Sequence, residues 1–579
     1  MSSTQPAASF ENRIQSHLRI LYPESDIARL ARDIAMLFDQ RWQLDRTDLW
    51  SERDSLLITY GDSILREGEK PLQTLSHFLD ESIQGAITAV HVLPFCPYSS
   101  DDGFAVIDYW QVDPELGTWD DLARIAETYR LMSDIVINHV SAKSDWFQNY
   151  LQGKSPGEGY FIEVDLTADL SEVVRPRSTP LLRKVETPKG TRHVWCTFSH
   201  DQIDLNFQNP AVLLEMFSVL KLCLEQGVRL FRLDAVGYLW KNPGTACIHL
   251  PETHEMVRLI RAILDEVAPG SILITETNVP NQENLTYFGN RNEAHIIYNF
   301  SLAPLVVHAL LTGRSEHLQT WMMSMPPAPP QCTYLNFTAS HDGIGMRPAE
   351  GLIEEEEQVQ MVNIIQRFGG RVSRRSLPDG TDRIYELNVS LFDALRGTIS
   401  GPDRYQIDRF LCSQTIMMGL EGLPAFYIHS LLATPNDEAG VEQTGRSRTI
   451  NRHRWEYEGL RKLLADSSTS QAKVSTELLR RIRIRSLQSA FHPSATQFTL
   501  HLQPSLFGFW RQSRDRQQSI FAIHNLSPRK QELELRDINL ITNERWIDLI
   551  SGIELSQIHG TIRLGPYQCL WITNRPSAS

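Results

Sequence analysis

Apolar residues along this chain keep two rhythms. Between residues 10 and 50 they recur at three- and four-residue intervals: Ile14, Leu18 and Leu21, then Ile27, Leu30, Ile34 and Leu37. That spacing places them on one face of a helix, so a helical extension over residues 1–54 is expected ahead of the first strand. The rhythm then changes to short apolar runs: LLITYG (56–61), AVHVLPF (89–95), DIVINHV (134–140), LFRLDAV (230–236), ILITET (272–277), IIYNF (296–300), YLNFTAS (334–340) and LPAFYI (423–428). Most are continuous rather than alternating, as strands covered on both faces are. Helical stretches such as AVLLEMFSVLKLCLEQG and HEMVRLIRAILDEVAPG lie between them. Eight strands with intervening helices predict an α/β fold, a (β/α)8 TIM barrel over residues 55–486.

Two connections are too long for simple barrel loops. One spans about 141–210 and contains GKSPGEGY and RPRSTPLL; the other spans about 343–420 and contains the arginine-rich RFGGRVSRRSLPDGTDRIYE. Long loops in a compact domain are functional lids or small inserted domains. Both leave from carboxyl ends of strands, so both are expected to overhang the barrel mouth. From about 487 the pattern becomes TQFTLHL, LFGFWRQ, SIFAIHNL, QELELRD, ERWIDLI and TIRLGPYQCLWIT, which predicts a C-terminal antiparallel β-domain over 487–579.

Three acidic residues sit where apolar strand patterns run out: Asp234 in LFRLDAVGY, Glu276 in SILITETN and Asp342 in YLNFTASHDG. A parallel barrel gathers such strand ends at one mouth, where barrel enzymes carry their catalytic groups. Two carboxyl groups flanking a sugar bond are the equipment of glycoside chemistry. Arg232, two positions before Asp234, projects from the same side of the strand and would keep that carboxylate ionised, as a nucleophile requires. Glu276 follows Ile272, Leu273 and Ile274; burial there would raise its pKa and suit it to act as a general acid. Asp342 and His341 could hydrogen-bond sugar hydroxyls and tighten as the ring flattens toward an oxocarbenium ion.

Composition narrows the field. The 579 residues are 41% hydrophobic and 22% charged, with a formal net charge of -14, which argues against a nucleic-acid groove. Seven scattered cysteines without a CxxC pair suit reduced thiols better than a disulfide framework or a zinc site. No HExxH and no EF-hand loop is present, so no metal site is expected. The amino terminus has no basic region followed by an apolar one, and no apolar run approaches the roughly 20 residues that cross a bilayer. A cytoplasmic protein without membrane partners is therefore expected.

DIVINHV, FRLDAVGY, ITET and SHDGIG resemble, in order and spacing, the four motif regions of the α-amylase-type glycoside hydrolases. The resemblance covers the barrel and C-terminal β-domain. It implies a configuration-retaining double displacement on an α-glucoside, with Asp234 as nucleophile, Glu276 as acid/base and Asp342 as transition-state stabiliser. It also places His139, Arg232 and His341 around the glucosyl subsite.

Further segments are similar to the sucrose phosphorylase subfamily. PYSSDDGFAVIDY resembles its first-loop motif, implying that Asp101 grips a distal glucose hydroxyl and Phe104 forms an apolar platform. RPRSTP makes Arg177 a candidate phosphate ligand, and SHDQIDLN and INRHRW implicate Gln202 and Arg452. The subfamily implies cleavage by orthophosphate to α-glucose 1-phosphate with no metal or organic cofactor, and a homodimer. An anion entering a mouth crowded with carboxylates needs cations, and arginine binds phosphate bidentately. Arg175, Arg177, Arg371, Arg374, Arg375 and Arg383 are the candidates.

In the second long loop the subfamily's acceptor-site Tyr-Gln pair is replaced by Tyr385 and Glu386 in IYELN. The rewritten, arginine-rich loop and the N-terminal extension look more like relatives that use D-glycerate where sucrose phosphorylase uses fructose. A carboxylate acceptor would call for a cation, which RVSRR and TDRIYE could supply. Fructose, glycerol or a phosphorylated sugar as acceptor, and a hydrolase or transglucosylase on the same barrel, remain the alternatives.

Overall fold

The structure, a computed structural model, describes residues 10–43, 48–177, 179–376, 382–538, 540–541, 544–556 and 559–575. Each of the eight apolar runs supplies one strand of a closed parallel barrel. In chain order these are β1 (Leu56–Thr59), β2 (Ala89–Val92), β3 (Arg130–Val136), β4 (Val228–Asp234), β5 (Ile272–Thr275), β6 (Ile296–Tyr298), β7 (Thr333–Asn336) and β8 (Leu423–Tyr427). β8 pairs with β1 to close the ring, Leu56 opposite Ala425. Every residue of β1, β2, β5, β6, β7 and β8 is buried, which explains why their sequences do not alternate.

The two N-terminal helices form where their apolar stripe predicts, α1 over Phe10–Leu21 and α2 over Ile27–Leu37. The Asp26 side chain caps α2 by accepting from the Arg29 amide. The barrel helices include α3 (Pro71–Phe78), α4 (Trp119–Thr128), α5 (Pro210–Glu225) and α6 (Pro251–Val267). α1 lies on α6, where His17 Nδ1 is 2.7 Å from Glu255 Oε1. Ile14, Leu18 and Leu21 join the same hydrophobic core as the barrel.

β6 and β7 are joined by α7 (Leu302–Thr312) and α8 (Glu316–Ser324). The connection from β7 to β8 carries α9 (Glu355–Arg367), an antiparallel hairpin of Arg371–Ser376 with Asp382–Asn388, and α10 (Gln406–Gly419). The earlier long connection holds its own hairpin, Leu182–Thr187 with Gly190–Trp195, over a small core of Val164, Trp195 and Cys247.

The C-terminal strands form a six-stranded sheet in the order Thr496–Thr499, Leu506–Gln512, Ser519–Asn525, Cys569–Thr573, Ile547–Asp548 and Ile553–Glu554. Its two faces obey the period of two. Phe507, Phe509, Ile520, Ala522 and Trp571 pack into the main core, while Phe521, Ile523, Leu570 and Ile572 face a separate cluster around Trp546. Among the described residues no helix is long and apolar enough to cross a membrane.

Candidate active site

The carboxyl ends of the barrel strands open into a cavity. Asp234 and Ala235 reach it from the end of β4, Glu276 from just beyond β5, and His341 and Asp342 from the segment after β7. The three sequence-predicted acids therefore share one chamber.

Parallel register builds the floor. Asp134 on β3 lies opposite Arg232 on β4, and Arg232 lies opposite Ile274 on β5. The Arg232 guanidinium, 2% exposed, donates through Nη1 to Asp134 Oδ1 at 2.5 Å and to Asp234 Oδ1 at 2.6 Å. Its Nη2 lies 3.9 Å from Glu276 Oε2. Behind it, His91 Nε2 on β2 meets Asp134 Oδ2 at 2.7 Å. One cation thus brackets both Asp234 and Glu276, and the contact with Asp234 is the closer. Ala235 has a φ of 51°, a left-handed conformation unusual for a residue with a Cβ. In that conformation its amide donates to Glu276 Oε2 at 3.0 Å.

These contacts set the proton affinities apart. Burial pushes Glu276 up to about 7, with the Asp234 and Asp342 charges adding and Arg232 opposing. Burial also raises Asp234 above its ordinary value, while Arg232 pulls it back. Arg232 hydrogen-bonds Asp234 and only approaches Glu276, so the guanidinium favours the charged form of Asp234 over that of Glu276. Arg232 thus opposes the effect of burial on Asp234 without bringing a net lowering. Asp134 is brought to about 2, with His91 and Arg232 outweighing burial.

Asp342 is governed by an arginine outside the motifs. Arg448 Nη1 meets Asp342 Oδ1 at 2.6 Å. The same guanidinium forks onto Glu386, Nε to Oε2 at 3.0 Å and Nη2 to Oε1 at 2.9 Å. Although burial acts to raise it, Asp342 is held well below the carboxylate range by Arg448, His341, Arg452 and Arg232. His341 is brought down to about 3, by burial first and by nearby arginines, and is neutral.

A flat wall faces these groups. The rings of Phe104 and His341 stack at 5.1 Å with 9° between planes. His139 Nε2 is 2.8 Å from the Phe104 carbonyl. Gln202 Nε2 donates to Asp101 Oδ2 at 3.2 Å and lies 3.1 Å from His139 Nε2. Asp101 and Asp102 both take positive φ, so the chain doubles back and the two acids diverge. Asp101 faces the cavity, whereas Asp102 pairs with Arg446 and Arg452. Gly103 permits this turn, since a Cβ there would sit 2.7 Å from the Pro94 carbonyl oxygen. Burial opposes it, but Arg448, Arg177 and Arg452 hold Asp101 below its ordinary value.

Asp101, Phe104, His139, Arg177, Gln202, Arg232, His341 and Tyr385 line the cavity with the three acids. Glu386 and Arg452 stand behind its wall. Glu386 is 1% exposed and tied to Arg448, and Arg452 donates through Nε to the His341 carbonyl at 2.9 Å. Their contribution is to hold Arg448 and His341 rather than to form the wall. Of the six candidate arginines, Arg177 is part of the wall, its guanidinium 5.4 Å from the Tyr385 ring centroid, whereas Arg175 is half-buried and does not line the cavity. Arg371 and Arg375 pair with Glu438 and Glu350, and Arg374 and Arg383 are exposed.

Two further cations that face the chamber, Arg347 and Arg448, were not among the candidates. Arg448 lies two residues before the INRHRW segment, which was the available signal. Asp134 opens the DIVINHV motif and was also passed over. Tyr238, Asn278 and His249 complete the rim from the loops after β4 and β5.

A closed parallel barrel whose carboxyl mouth holds a buried glutamate of raised pKa, an arginine-bound aspartate and a stacking platform defines a carbohydrate-active enzyme of the α-amylase type. The α-amylase catalytic-domain family matches residues 83–342. A glucosylglycerate phosphorylase of Allomeiothermus silvanus is 44% identical over 576 residues, 99% of this chain and 100% of that protein. A glucosylglycerate phosphorylase of Spirochaeta thermophila is 43% identical, over 92% of this chain and 91% of that protein. Among solved structures, sucrose 6F-phosphate phosphorylase from Thermoanaerobacter thermosaccharolyticum superposes with a TM-score of 0.71 at 25% identity, covering 88% of this chain and 98% of that one. The chain belongs to the α-amylase family, among its glycoside phosphorylases.

Proposed function

We propose that this protein is a retaining glucosylglycerate phosphorylase. It transfers the α-glucosyl unit of glucosylglycerate to orthophosphate, giving α-glucose 1-phosphate and D-glycerate. The observation that carries the reading is the split between two carboxyls on one guanidinium, Glu276 raised to about 7 and Asp234 hydrogen-bonded to Arg232. Full-length identity to enzymes of that name supports the choice of acceptor.

In the first step Asp234 attacks the anomeric carbon. The glycosidic bond breaks, and Glu276 gives its proton to the departing glycerate oxygen. Asp342, kept ionised by Arg448, stabilises the oxocarbenium-like charge. Phe104 and His341 carry the apolar face of the ring, while Asp101, His139 and Gln202 hold its hydroxyls. In the second step a phosphate oxygen attacks the same carbon from the opposite side. The bond to Asp234 breaks and Glu276 recovers a proton from phosphate. Two anions, phosphate and glycerate, visit a chamber floored by carboxylates, and Arg177, Arg347 and Arg448 on its wall supply the balancing charge. Tyr385 borders the acceptor side. This chemistry draws on no metal or organic cofactor.

We place the catalytic unit at residues 55–486, between the helical extension and the C-terminal β-domain. The compartment is taken to be the cytoplasm, where seven unpaired cysteines, six of them buried, suit the reducing conditions. The test is to supply glucose 1-phosphate with D-glycerate, glycerol, fructose or fructose 6-phosphate and measure phosphate release. D-Glycerate should give the highest rate. A higher rate with fructose or glycerol, or cleavage of glucosylglycerate at a rate indifferent to phosphate, would overturn the reading.

A further inference from the structure

On the outer surface of the barrel, away from the mouth, three helices bring together His308 of α7, His317 of α8 and Glu357 of α9. The sequence offers no linear metal motif here, because the ligands are drawn from three separate elements. Their donor atoms all lie within 4.8 Å of one another. His317 Nε2 is 2.6 Å from Glu357 Oε2, and His308 Nε2 is 3.7 Å from Glu357 Oε1. The two imidazole rings are 5.0 Å apart at 65°.

An ordinary buried histidine finds a hydrogen bond for each ring nitrogen it hides. His308 is 3% exposed, yet its Nε2 has no hydrogen-bond partner among the described residues. That nitrogen points at the carboxylate from beyond hydrogen-bond reach.

From this geometry we propose that His308, His317 and Glu357 form a binding site for a divalent transition-metal ion of zinc type, with water at the fourth position. Zinc takes histidine nitrogens at about 2.0–2.1 Å and carboxylate oxygens at about 2.0–2.2 Å, so tetrahedral ligands stand roughly 3.3–3.5 Å apart. The His308–Glu357 separation is already near that value, and the His317–Glu357 contact needs only to open. Arg314 and Glu316 face the same cleft and pair with each other at 3.0 Å. Glu354, Glu355 and Glu356 add negative charge around it. Glu355 and Glu356 have a sufficient explanation in the α9 dipole, since they occupy its first turn. Glu357 differs in turning to both histidines.

The site would have a consequence for the chamber. α9 opens the connection that carries the Arg371–Asn388 hairpin, and that hairpin delivers Tyr385 to the cavity and Glu386 to Arg448. A metal at this point ties the inserted segment to the barrel helix α7.

Full-length protein stripped with chelator and titrated with ZnCl2 by calorimetry should take up one equivalent at this site. His317→Ala and Glu357→Gln, both at partly exposed positions, should each weaken uptake by more than about tenfold. Circular dichroism should show both variants folded. Cobalt(II) should give the intense visible bands of a four-coordinate site in the native protein and lose them in both variants. The proposal fails if no saturable equivalent is seen, or if both variants bind zinc as the native chain does.

Discussion

Replacing Arg448 with glutamine removes the cation that Asp342 and Glu386 share. Glu386 is 1% exposed, and the Asp342 and Arg448 side chains are each 20% exposed, so the group is largely shielded from water. Deleting one partner of such a pair costs about 3–5 kcal/mol, chiefly because a buried charge loses its counter-ion. We take the lower end, since Asp342 keeps some access to solvent. If that cost falls on the glucosylation transition state, about 3 kcal/mol at about 1.36 kcal/mol per tenfold is roughly a 100- to 200-fold loss in kcat/KM. The assay is phosphorolysis of glucosylglycerate across pH, because kcat/KM for this substrate reports the first step alone. In the native enzyme kcat/KM falls as pH rises through about 7, where Glu276 loses its proton. In Arg448→Gln, Asp342 loses the strongest of the charges holding it down, so its carboxyl titrates at higher pH than in the native enzyme. A calorimetric Tm taken alongside separates unfolding from lost catalysis. The reasoning is refuted if a folded Arg448→Gln keeps kcat/KM within about threefold of native.

Glu276→Gln should lower phosphorolysis of glucosylglycerate by about 10²–10⁴-fold but largely spare α-glucosyl fluoride, whose leaving group needs no proton; equal losses on both substrates would contradict the acid role. Asp134 is lowered from 3.8 to about 2, which corresponds to about 2–3 kcal/mol of stability. A depressed carboxyl contributes above its unfolded pKa and loses that contribution as pH falls toward its folded value. Asp134→Asn should therefore lower Tm at pH 7, and the gap to native should narrow as pH drops below about 4. A Cβ at position 343 would stand 2.4 Å from Glu386 Cγ and 2.6 Å from the Leu387 oxygen. Gly343→Ala should displace Glu386 from Arg448 and lower kcat/KM by about tenfold or more, a loss read in steady-state kinetics with Tm as control.

The barrel was legible because burial on both faces writes itself as unbroken apolar runs, and each of the eight became a strand. The three acids were legible for a related reason: a charge ending such a run has to leave the core at the mouth. What stayed hidden depends on register and on loop geometry. Nothing in the spacing of Asp134 and Arg232, 98 positions apart, says that parallel pairing sets them side by side. Arg448 and Arg347 sit on short 3-10 turns within long connections, too brief to show a periodicity in the sequence. The arginine-rich RVSRR stretch misled for a different reason. Its hairpin carries a register shift between Ser373 and Arg374, and Arg371 and Arg375 are taken up by Glu438 and Glu350, while Tyr385 and Glu386 on the partner strand are buried together.

The central claim is that Asp234 carries the glucosyl group between the two acceptors. Glu276→Gln charged with α-glucosyl fluoride, quenched in acid and digested, lets mass spectrometry locate the attached sugar. The label should lie on the peptide containing Asp234, and adding phosphate before the quench should remove it as α-glucose 1-phosphate. A label on Glu276's peptide or on Asp342, or a label that phosphate leaves in place, would contradict the account.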